Sequence, residues 1–493
     1  MNAIIRRLST RTAAFCLLWA TAATSAQSQY GKTELKRDIE SSLRGQLFQR
    51  TSAAVEISDA GTGEVLYDRN SELLLRPASA AKLFTTAAAL LGLPRDFAFK
   101  TTVYIDSSGG GLPVIWIRGG GDPLLDSGDL AALADAVVGS GIFEFEALVL
   151  DATLFDTVRY NSGWMLGDLG EQYCPAVTPF SVNGNRLIFR FKGGTKPGDP
   201  LDIGTHNCSA AELLLDCRTG YSNALSVTGD PRLIEYRSAS TDYKGKAGHA
   251  GYRAAGFLKT GSIKTIEMGA WDPPSLFHCL LLSSLEKRGV RVRNRLVLAD
   301  IVPASAFEAG SVTRPIGDVI EAINRESDNL AAECLLKRFS AERNGVPGGW
   351  SSGISEIRRM LSRVGVDSGS MSLADGSGMS HYNLASASSF GKLLRGMCKT
   401  PVFEMFKASL AKPGGPGTLR NRFAGINGAH FVRAKTGTIS GVSALCGYVL
   451  KPEGPPLAFA ILMQNFAGSH AAYRNIQDKI VGYCLRYASS SSR

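Results

Sequence analysis

Residues 430–465 read HFVRAKTGTISGVSALCGYVLKPEGPPLAFAILMQN, and the fold is decided by how this stretch is divided. HFVRAKTGT, SALCGYVL and LAFAILMQN are three β-runs rich in branched and aromatic residues, and the turn KPEGPP separates the last two. A final helical stretch, AAYRNIQDKIVGYCLRY, closes the chain. At the other end, residues 52–67 (SAAVEISDAGTGEVLY) form two short β-runs around a glycine-rich turn, hence a hairpin. Three strands able to pair as an antiparallel meander, with helices before and after, predict an α/β sandwich. Its antiparallel sheet is also joined by the N-terminal hairpin.

Working inward, Pro77-Ala78 leads into SAAKLFTTAAALLGL, where Leu83, Phe84, Ala87, Leu90 and Leu91 give an apolar helical face. From about 100 to 270 the texture changes to short β-like runs (PVIWIRG, ALVLD, RLIFRF) between Gly, Pro and Asp turns. Helical texture returns at PPSLFHCLLLSSLEKRGV and at IGDVIEAINRESDNLAAECLLKRFS. The predicted organisation is a catalytic domain in two parts, 27–98 and 271–493, interrupted by a mostly β insertion at 99–270. At 493 residues and 44% hydrophobic, the chain has enough apolar surface for two or three cores.

Residues 1–26 stand outside that fold. Arg6, Arg7 and Arg11 precede an apolar run from Ala13 to Ala23 and small residues around Ala26, the pattern of a secretory signal. An exported protein of the periplasm or cell-wall space is expected, without a transmembrane anchor once the signal is cut, because the run is too short to span a bilayer. Cleavage removes three arginines and no acid, so the net charge falls from +10 to +7. No stretch combines dense Lys/Arg with stacking aromatics, so nucleic acid is not an expected partner. No paired CxxC and no HExxH spacing occurs, and no metal or cofactor is expected. Cys208 and Cys217 are close enough in sequence to bridge locally in an oxidising compartment.

Chemistry enters at Ser79 and Lys82. Three positions apart, they share a helix face at a helix start, where free N–H groups and a positive dipole end are available. A serine hydroxyl needs a base, and a desolvated lysine near other cations can be neutral enough to serve. Ser284-x-x-Lys287 and Ser389-x-x-Lys392 fit the same spacing with poorer context. An SxN and a KTG should complete the apparatus. Both occur twice: Ser181-Val-Asn183 with Lys259-Thr-Gly261, and Ser327-Asp-Asn329 with Lys435-Thr436-Gly437. Ser327 lies between two helical stretches, where a turn can present a hydroxyl and an amide to a cleft. Lys435 opens the meander, where a lysine can project its charge across an edge strand and Thr436 and Thr438 can meet a carboxylate. The second set is the predicted site, and Lys259-Thr-Gly is predicted to be a coincidence at the end of the insertion.

In this order, PASAAK, ESDN, LADGSGMS and AKTGT resemble the class C low-molecular-mass penicillin-binding proteins. These are serine D-alanyl-D-alanine carboxypeptidases/endopeptidases of the penicillin-binding protein 4 type. RGGGDPLL and GWMLGD are similar to further recurrent phrases of that family, and the resemblance covers nearly the whole mature chain. It implies a transpeptidase/β-lactamase-like α/β sandwich interrupted by two extra domains. It implies acylation of Ser79 with Lys82 as base, and proton relay to the leaving group by Ser327. Asn329 is implied to bind the substrate amide, with Lys435, Thr436, Gly437 and Thr438 at the terminal carboxylate. An oxyanion hole from the N–H groups of Ser79 and Thr438 is also implied. Asp168 matches a position that contacts the free end of the stem-peptide diamino acid, although the sequence reads it equally well as a turn aspartate. Peptidoglycan stem peptides are the implied substrates, and β-lactams the implied covalent inhibitors. Ser377 is a secondary candidate in a turn that reads first as structural. The competing readings are a β-lactamase, for which no added deacylating base stands out, and a catalytically dead peptidoglycan-binding scaffold, against which the intact motifs speak.

Overall fold

A computed structural model describes residues 30–205, 211–229, 250–299 and 301–490. The expected signal sequence and Cys208 lie outside the described residues, and with Cys208 the expected Cys208–Cys217 bridge. Cys279 is disulfide-bonded.

The C-terminal stretch forms the expected meander. Val432–Ile439, Val442–Val449 and Leu457–Gln464 pair antiparallel in that order, and Ser52–Asp59 and Val65–Arg69 continue the same sheet. Ser52–Asp59 pairs with Leu457–Gln464 from Ser52↔Gln464 to Asp59↔Leu457, which joins the two ends of the chain. The two central strands are buried throughout because both sheet faces are covered. Their side chains alternate between two cores. Leu445, Val449, Leu457, Phe459 and Ile461 pack on the helices Lys32–Leu43 and His470–Ser490, with Leu35, Ile39, Val481 and Leu485. Ala444, Cys446, Tyr448, Ala460 and Leu462 face the opposite layer, which includes Phe84, Phe390 and Leu394. The helix Lys82–Gly92 is apolar almost all round, so it lies inside that second layer, with Phe84 stacked on Phe390 at 4.5 Å.

The interruption differs from expectation in content and extent. A five-stranded mixed sheet runs in the order Arg291–Ala299, Glu144–Asp151, Val114–Arg118, Ala98–Asp106, Phe307–Pro315. Val114–Arg118, the helix Ser127–Val138 and Glu144–Asp151 form a parallel β-α-β unit. That helix (SGDLAALADAVV) was hidden by the surrounding turn residues; Asp126 caps it, accepting from Gly128 N and Asp129 N. The helix Pro273–Glu286 packs in the same core. Phe307–Pro315 pairs with Ala98–Asp106 and Arg291–Ala299 with Glu144–Asp151, so the chain returns to the catalytic body at Ile316 and not at 271. Among the described residues, two small three-stranded sheets make up the rest of the interruption. Part of the expected insertion also leaves it: Phe155, Trp164, Cys174 and Val177 pack in the same core as Phe84 and Phe390.

Candidate active site

The turn that carries Ser79 is built by close backbone packing. Ala78–Ala81 is a single 3₁₀ turn running into the helix Lys82–Gly92, and Ala78 has φ 47°, a left-handed conformation rare for alanine. Two glycines admit this arrangement. A Cβ on Gly378 would collide with the Ala78 carbonyl oxygen, and one on Gly437 would collide with the Pro77 carbonyl oxygen. The KTG strand therefore lies backbone to backbone against the Ser79 turn.

Lys82 is fully buried, and its Nζ is 3.1 Å from Ser79 Oγ, 2.6 Å from Asn329 Oδ1 and 2.6 Å from the Ser377 carbonyl oxygen. A neutral amine has two N–H donors and one lone pair. Asn329 Oδ1 and Ser377 O can take the two donors, which leaves the lone pair for the Ser79 hydroxyl proton. Burial pushes the Lys82 ammonium down to about 8, against the opposing pull of Glu333, Asp375 and Asp328. The amine is thus partly neutral near physiological pH, as a general base requires.

Ser327 ends a π-helical turn, Ala322–Glu326, and itself adopts φ 68°, ψ 33°. Asp328 then caps the helix Asn329–Asn344 by accepting from Ala331 N. This break turns Ser327 Oγ toward Lys435, whose Nζ donates to it at 2.8 Å. Lys435 is also fully buried, and its ammonium is held well below the usual lysine range by burial and by the neighbouring Lys82 cation. Asn329 Nδ2 donates to the Tyr173 carbonyl at 2.8 Å, so the amide is fixed at both ends. Gly437 is buried, Thr436 half-buried and Thr438 exposed. Asp168 reaches this wall indirectly: Tyr173 OH donates to its Oδ1 at 2.8 Å.

The structure thus brings Ser79, Lys82, Ser327, Asn329, Lys435, Thr436 and Gly437 together, and leaves the other set apart from them. Ser181 is fully buried and accepts from Asn185 Nδ2, while Asn183 Nδ2 donates to Ser127 Oγ. Lys259-Thr-Gly261 is a surface turn between Ala250–Lys259 and Ile263–Gly269, closed by Ser262 N donating to the Lys259 carbonyl, with Gly261 at φ 67°. Sequence reasoning read the 375–378 turn as structural, with Ser377 a secondary candidate, and did not foresee that its backbone would meet Lys82. Ser377 faces Lys82 with its carbonyl, whereas its hydroxyl accepts from Met379 N. It also missed Glu333, which is fully buried behind that turn. The signal for Glu333 was its place four residues after Asn329, on the same helix face.

A model of the D-Ala-D-Ala carboxypeptidase 3 (S13) family matches residues 35–487. The chain belongs to that family. It is 32% identical to a D-alanyl-D-alanine carboxypeptidase of Actinomadura sp. (strain R39), over 96% of this chain and 88% of that one. It is 27% identical to carboxypeptidase DacB of Mycolicibacterium smegmatis, over 83% of this chain and 75% of that protein. Its fold matches the crystal structure of penicillin binding protein 4 from Haemophilus influenzae with a TM-score of 0.77. That match has 20% identity and covers 91% of this chain and 99% of the other. The resemblance carried by PASAAK, ESDN and AKTGT is borne out: this S13 protein is a serine-type D-Ala-D-Ala carboxypeptidase with the penicillin-binding-protein fold. Among its described residues no helix is long and apolar enough to cross a membrane.

Proposed function

We propose that Ser79 is the nucleophile and Lys82 its base, and that the same site opens D-alanyl–diamino-acid crosslinks as well as removing terminal D-alanine. Ser79 Oγ attacks the carbonyl carbon of the penultimate D-alanine as its proton passes to Lys82 Nζ. The N–H groups of Ser79 and Thr438 hold the resulting oxyanion, a contribution of about 3 kcal/mol per donor. As the C–N bond breaks, the proton held by Lys82 passes through Ser327, which Lys435 orients, to the leaving amine, and Lys82 is neutral again. A water molecule then attacks the Ser79 ester, giving a proton to Lys82, which returns it to Ser79 Oγ as the ester C–O bond breaks and the new carboxylate is released. Asn329 holds the acyl-side amide. Thr436 and Thr438 receive the terminal carboxylate, with Lys435 supplying positive potential.

The observation that carries this reading is the threefold contact of buried Lys82 with Ser79 Oγ, Asn329 Oδ1 and Ser377 O. A β-lactam carbonyl would meet the same nucleophile and leave a slowly hydrolysed adduct. Asp168, linked to the site wall through Tyr173, is the proposed partner for the free amino end of the stem-peptide side chain. The leader pattern and the peptidoglycan substrate support a site of action outside the cytoplasmic membrane.

Purified mature protein, given a stem peptide ending in D-Ala-D-Ala and a crosslinked stem-peptide dimer, should release D-alanine from the first and monomers from the second. Ser79→Ala should abolish both. Cleavage of the terminal dipeptide alone would restrict the activity to that of a carboxypeptidase. Rapid turnover of penicillin without peptide cleavage would replace the reading by a β-lactamase.

A further inference from the structure

A fully buried carboxylate stands one step behind the proposed base. Glu333 Oε1 accepts from Ser377 N at 2.7 Å, and Oε2 accepts from Gly376 N at 3.0 Å and Trp350 Nε1 at 2.7 Å. The carbonyls of the same two residues point the other way, into the nucleophile helix. Gly376 O accepts from Thr85 Oγ1 at 2.7 Å and Ser377 O accepts from Lys82 Nζ at 2.6 Å. The turn is therefore mounted between Glu333 on one side and the Ser79–Lys82 helix on the other. Its far end is fixed by Asp375, which accepts from Gly378 N, Ser380 N and Trp164 Nε1.

We propose that Glu333 is a positioning residue for the acylating base: ionised, it pins the Gly376–Ser377 turn so that Ser377 O takes one N–H of Lys82 and leaves its lone pair aimed at Ser79. The carboxylate has a second effect on Lys82, because it places a buried negative charge beside two buried lysines. The charged groups facing Lys82 are Glu333, Asp375 and Asp328, which favour its cation, and Lys435, which opposes it. The titratable groups facing Glu333 are Lys82 across the turn, Asp375 on it, Lys337 one helical turn along, and the uncharged thiols of Cys334 and Cys174. Burial, and after it Asp375, push the Glu333 carboxyl up to about 7, while its three N–H donors act in the opposite direction. Lys337 lies over the ring of Trp350, its Nζ 3.6 Å from the centroid, and so braces the third donor.

This inference rests on the assignment of Ser79 and Lys82 above, and the test separates the two. The second-order rate of acylation by a labelled penicillin is measured from pH 6 to 10 for wild type and Glu333→Gln. In wild type the rate should rise with pH as Lys82 loses its proton. Glu333→Gln removes an anion that favours the cation, so the rising limb should move to lower pH by about one unit. The misplaced Ser377 carbonyl should also lower the plateau about 10-fold, with the KM of the peptide substrate changed less than about twofold. If Glu333→Gln does not fold, Trp350→Phe withdraws one donor, raises the Glu333 carboxyl further, and should shift the limb in the same direction by a smaller amount. A variant with lowered melting temperature but a wild-type limb and plateau would make Glu333 purely structural and overturn the proposal. Absence of a Ser79 adduct in wild type would instead overturn the catalytic assignment.

Discussion

At the residue scale, the two KTG triads differ through their glycines. A Cβ at Gly437 would strike the Pro77 carbonyl oxygen, and Ala80 N lies 3.0 Å away. Gly437→Ala must push the strand off the Ser79 turn, and a displacement of about 1 Å in such a site lowers rates by roughly 100-fold. Penicillin acylation of this variant should fall by that order. Gly261 has nothing within 4 Å of its Cβ position, but its φ of 67° disfavours a side chain. Gly261→Ala should therefore lower stability by about 1 kcal/mol and leave acylation unchanged. Stopped-flow acylation and urea denaturation of the pair would check both halves. Equal loss of acylation in the two variants would contradict the assignment.

At the element scale, legibility followed the range of the interactions. The meander and hairpin were readable because period-two patterning and turns are local signals, and the alternation of Leu445 and Phe459 with Cys446 and Ala460 across two cores agrees with them. Ser327 was readable as a break between helical stretches, although nothing local foretold its left-handed backbone. The helix Ser127–Val138 escaped notice because Gly and Asp turn residues flank it closely. The limit at 270 was wrong because the edge strands Arg291–Ala299 and Phe307–Pro315 find their partners far back in sequence, at Glu144–Asp151 and Ala98–Asp106. Pairing over such separations leaves no periodic trace near 270. The site showed the same division: SxxK, SDN and KTG were visible as motifs. The Ser377 and Tyr173 carbonyls were not, because a backbone acceptor has no residue identity to read.

At the scale of the whole molecule, both the insertion and the segment 155–177 that leaves it are tied to the catalytic body beside the candidate site. Lys337, fully buried on the Asn329–Asn344 helix, donates to Asp156 Oδ1 at 2.7 Å and to the Val158 carbonyl at 2.5 Å. Arg338 donates to the Gly120 carbonyl at 3.1 Å, and Asn161 Nδ2 donates to the Ala374 carbonyl at 2.8 Å. The loop bearing Trp164, Asp168 and Tyr173 is thus fastened at several points, which is why a segment outside the catalytic sheet can line the cleft. Lys337→Met keeps most of the volume but leaves Asp156 and a carbonyl without their donor. The loss should be about 2 kcal/mol, read as a lower urea midpoint. An unchanged midpoint would mean that the other ties suffice.

The central claim is that one serine and one of two KTG lysines make the active site. Its most direct test is to label wild type, Ser79→Ala, Lys435→Ala and Lys259→Ala with a penicillin, and to map the adduct by peptide mass spectrometry. The account predicts a single adduct on Ser79 in wild type and Lys259→Ala, none in Ser79→Ala, and acylation at least about 100-fold slower in Lys435→Ala. An adduct on another serine, or labelling lost with Lys259 and retained without Lys435, would contradict it.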